Sequence, residues 1–131
     1  MKSVQTISSE QFELLTKFYY LLDTIEEGLE YIINSFDNIH YVERDRVLTD
    51  IILAIYEIDS ARHLLISFFS QDVSMEERIN RLDSIIEQLD KLDFVLLQPV
   101  QLEQFIKRDL YPSFIRWKNS LQQVLKRYVT H

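Results

Sequence analysis

Apolar residues recur along the first third of this chain at alternating spacings of three and four: Leu15, Phe18, Leu22, Ile25, Leu29, Ile32, Phe36 and Ile39. That spacing is the seam of a helix packed at a shallow angle against its neighbours. Phe12, Leu14, Tyr19, Leu21 and Ile33 widen the stripe, as a helix touching two neighbours requires. The start is marked too. Ser8 and Gln11 have the spacing of a capping box, and Glu10 lies near the positive end of the helix dipole.

After a turn near residues 38–41, the same rhythm predicts a second helix through Val47, Ile51, Ala54, Ile58, Ala61, Leu65 and Phe68. Leu48, Ile52, Leu53, Ile55 and Tyr56 leave it apolar around most of its circumference. Such a helix is either the most buried of its bundle or one face of a homo-oligomer. A turn at residues 70–73 and a second capping pattern, Ser74 with Glu77, open a third helix through Ile79, Leu82, Ile85, Leu89, Leu92 and Leu96. Gln98 precedes proline and so resists the helical region, while Pro99 suits the first turn of a fourth helix. Its stripe is Ile106, Leu110, Phe114, Trp117, Leu121, Val124 and Tyr128. Pro112 falls inside it, where the missing N–H predicts a kink or a split near residues 108–111.

Long amphipathic helices joined by short links predict an all-α fold, an antiparallel up-down-up-down four-helix bundle with its fourth helix kinked or split near Pro112. The expected unit is one domain over residues 1–131, with residues 1–7 a flexible leading segment. Residues 22–30 echo residues 82–90 at a spacing of 60, a match that a shared amphipathic pattern explains as simply as a duplicated hairpin.

Composition narrows the chemistry. With a single glycine, Gly28, the chain has no glycine-rich loop to cradle phosphate or a dinucleotide. No cysteine is present, so disulfides and thiolate metal sites are excluded. The N-terminus lacks the apolar core of a signal peptide and no apolar run approaches membrane-spanning length, so the cytoplasm is the expected location. Di-metal chemistry in a bundle needs inward carboxylates and Glu-x-x-His motifs; none occurs, and His40, His63 and His131 are scattered. Asp59 and His63 stand one turn apart, too few ligands for a site. Neither a metal nor another cofactor is expected.

The net charge of −7 is unevenly spread. Up to Gln98 there are 19 acidic and 8 basic residues; beyond it Glu103 and Asp109 face Lys107, Arg108, Arg116, Lys118, Lys126 and Arg127. The acidic body argues against nucleic acid as a partner. Pairing with the acidic helices explains the basic strips most economically. A surface of Lys107, Arg108, Tyr111, Arg116 and Lys118 that docks an acidic or amphipathic helix is the competing expectation. Asp23, Glu26, Glu27 and Glu30 are expected on a solvated face, and Gly28 at a close approach of a neighbouring group, with Trp117 a candidate.

The leading expectation is therefore non-catalytic protein binding, as an adaptor, regulator or chaperone-like protein, with self-association through the second helix a further possibility. The alternative is a small-ligand-binding bundle or enzyme with a cavity near Gly28 and the Pro112 kink. An exposed apolar groove favours the first; an enclosed pocket with convergent polar groups favours the second. The seams place Leu15, Leu22, Leu29, Ile51, Ile58, Leu65, Leu82, Leu89 and Leu121 in the core. Ile58→Asp should then abolish the cooperative thermal transition followed by circular dichroism, because an unpaired buried charge costs several kcal/mol; a melt near that of the wild type would show the seam to be misplaced.

Overall fold

The computed structural model describes residues 7–69, 71–93 and 97–129. The leading segment 1–6, Ser70 and Leu96 lie outside the described residues, while Ile7 packs half-buried against the core. The elements are α1 (Ser9–Ser35), α2 (Arg44–Ser67), α3 (Val73–Asn80), α4 (Leu82–Asp90), α5 (Pro99–Phe105) and α6 (Tyr111–Val129), with a π-helical turn at Ile106–Leu110. They form the four rods of an antiparallel bundle: α1, α2, the pair α3–α4, and α5 continued through the π turn into α6. Each rod has two neighbours. Helix α1 packs on α2 and α6, and α3–α4 close the square against the same two.

All nine residues expected in the core are buried, Ile58 among them. The Ser8 capping box is formed, with Gln11 N–H donating to Ser8 Oγ at 3.1 Å and Ser8 N–H to Gln11 Oε1 at 3.0 Å. Gln98 is extended and Pro99 opens α5, as the Gln-Pro step requires.

Four local expectations need correction. The first seam stops early: α1 ends at Ser35, Phe36 is half-buried, and Ile39 is 89% exposed in the following loop. Arg44 terminates α1, its guanidinium donating to Ser35 Oγ (2.7 Å) and Ser35 O (3.0 Å) and stacking 4.1 Å over the Phe36 ring. In α2 the buried line runs through Leu48, Ile51, Ile55, Ile58, Arg62 and Leu65, so Val47, Ala54 and Ala61 sit at the margin. The helix is apolar nearly all round, and periodicity could not tell the two adjacent stripes apart. The third rod breaks at Arg81, and its cap is Asp72, which accepts from Met75 N–H at 3.0 Å, rather than Ser74. In the fourth rod Leu125 is fully buried while Val124 and Tyr128 are half-buried.

The fourth rod meets Pro112 with a wider turn. Tyr111 N–H bonds back five residues to Ile106 O, immediately before the proline. The π turn gives the pyrrolidine ring room where an α-helix would press it against the carbonyl four residues earlier.

Gly28 marks a close approach of α2 to the backbone of α1. A Cβ there would lie 2.5 Å from Ile51 Cδ1 and 2.9 Å from Ile51 Cγ1, so the neighbour is Ile51 and not Trp117. Gly28→Leu should cost about 1–3 kcal/mol by overpacking. The penalty should shrink in an Ile51→Ala background, a coupling that denaturant midpoints of the four proteins in the cycle measure directly.

Candidate functional site

Two lysines of the fourth rod's basic strip, Lys107 and Lys118, are committed to their own chain. Lys118 is buried, with Nζ at 2.8 Å from Glu26 and 3.1 Å from Asp23 across the α1–α6 contact. Gln122 donates to Asp23 (3.0 Å) and to Tyr19 O (2.9 Å), and Tyr111 OH to Glu30 at 3.2 Å. Lys107 lies 2.6 Å from Glu103 and 3.8 Å from Asp37. The acidic cluster is correspondingly less solvated than its spacing suggested: Asp23 and Glu26 are half-buried partners of Lys118, and only Glu27 and Glu30 are exposed. Arg108 and Arg116 are exposed and form no ion pair among the described residues. The five residues Lys107, Arg108, Tyr111, Arg116 and Lys118 thus do not share one free surface.

The other buried cation is Arg62, which bonds to Asp59 on its own helix and to Asp83 and Asn80 of the third rod. Burial alone would lower its pKa, but the bonds to Asp83 and Asp59 raise it above the usual arginine value. Asp59 is therefore engaged with Arg62, and His63 is exposed. Among the described residues no three potential ligands cluster into a metal site. Tyr56 donates to Asp90, and that bond, followed by burial, pushes the phenol up to about 12. Near the Pro112 turn, Gln88 donates to Ser113 at 3.1 Å and its buried Oε1 has no partner among the described residues.

Close packing gives way between α1 and α2, at the end away from Gly28. The gap is an open groove of about 230 Å³ lined by Leu14, Phe18 and Leu21 of α1 and Ile58, Ala61, Leu64 and Leu65 of α2, with Lys17 and Glu57 at its rims. Leu14 is 36% and Leu64 51% exposed. Leu53, 57% exposed, is eleven residues from Leu64 and so falls on nearly the same line of the helix. The second-helix pattern had signalled surplus apolar surface; which of its residues stay exposed depends on the angle at which α1 crosses, and no periodicity encodes that. Apart from Lys17 and Glu57, the side chains that line the groove are apolar.

Fold and site together define an antiparallel helical bundle with an apolar inter-helix groove, its buried cations Arg62 and Lys118 paired within the chain. The chain belongs to a family described as a domain of unknown function (DUF8042), whose model matches residues 13–120. It is similar to the uncharacterized protein YvzG of Bacillus subtilis (strain 168), 29% identical over 122 residues that cover 93% of this chain and 97% of the relative. No solved structure matches, and no helix among the described residues is long and apolar enough to cross a membrane.

The pairs around Lys118 set a pH dependence. Burial pushes Asp23 up, but the bond from Gln122 and the bond and charge of Lys118 outweigh it and hold the carboxyl below its ordinary range. Burial likewise lowers Lys118, and Glu26 and Asp23 together raise it above the ordinary lysine value. The Asp23 contribution is thus full above the unfolded carboxylate range and lost as pH falls through the folded value. That of Lys118 is full below the ordinary lysine range and lost as pH rises through its folded value. Lys118→Met should cost about 1–3 kcal/mol at neutral pH and flatten both limbs of a stability–pH curve from chemical denaturation.

Proposed function

We propose that this protein is a cytoplasmic, non-catalytic protein-binding module whose contact surface is the groove between α1 and α2. The groove's form carries the reading. It is open, apolar and shallow, and its lining offers an intruding helix the rows of leucine that helix-in-groove recognition uses. Exposed leucines grouped on one face mark interaction sites rather than ordinary surface. The reading of a ligand cavity at Gly28 has less support, since the Ile51 side chain occupies the space beside that residue.

An acidic or amphipathic helix docking on the fourth rod remains the second surface, reduced to the exposed Arg108 and Arg116. A photo-crosslinking residue placed at Leu64 or at Arg116 separates the two in living cells. The groove reading expects protein adducts from position 64, lost when Leu14→Glu is added, and none from position 116. Adducts from 116 alone would transfer the function to the fourth rod. Leu14→Glu should leave the melting temperature nearly unchanged, because its side chain already meets solvent.

A further inference from the structure

We draw no further inference here: the strongest candidate, the exposed apolar strip of Leu53 and Leu64 on α2 beside the α1–α2 groove, belongs to the site already described, and nothing in the structure shows what covers it.

Discussion

The bundle is organised around the contact of Gly28 with Ile51. Because Gly28 has no Cβ, the Ile51 side chain rests against the backbone of α1 at a distance no other residue type would permit. A mid-helix glycine costs about 1 kcal/mol relative to alanine, and the approach of α2 is what offsets it. Two stiff rods that touch at one level are free to separate at another. From Gly28 to Leu14 is about 21 Å along α1 at the ordinary helical rise, and toward that end a groove lined by Phe18, Leu21 and Leu65 opens between the helices. Contact and groove are two ends of one geometric constraint.

On its other side α1 is joined to α6 by polar bonds of a kind that fix position more than they add stability. Lys118, Gln122 and Tyr111 reach Asp23, Glu26 and Glu30, residues one turn apart along one face of α1. Buried ion pairs repay their desolvation only with good geometry and further hydrogen bonds; here Lys118 has two carboxylates, and Asp23 also receives Gln122. Arg62 plays the matching part between α2 and the third rod, through Asp83 and Asn80. These sets favour one register of otherwise interchangeable apolar stripes. They also explain why Lys118, in the middle of a basic strip, offers no free charge at the surface.

Buried polar side-chain atoms among the described residues are almost all bonded. Gln88 Oε1 beside the π turn is the buried side-chain atom without a partner among the described residues, while Nε2 of the same amide donates to Ser113. The surplus lies instead in apolar surface, on Leu14, Leu53 and Leu64. That apolar surplus is what the proposed binding role rests on.

Sequence alone determined the number of rods, their order, the Ser8 and Pro99 starts and the buried line of α1 from Leu15 to Ile32. Each of these is set by neighbours within a turn or two, through periodicity, capping and proline sterics. The position of the fourth-rod disturbance was equally local, but its form, a π turn rather than a broken helix, was settled by the need to keep Ile106, Leu110 and Phe114 all in the core. Which stripe of α2 faces inward, what fills the space beside Gly28, and which acid takes Lys118 were matters for tertiary structure. They depend on how neighbouring helices rotate and cross, and one helix's pattern carries no record of its partner's phase. The groove belongs to the same class: its leucines are plain in the sequence, but their exposure exists only once α1 has met α2 at Gly28.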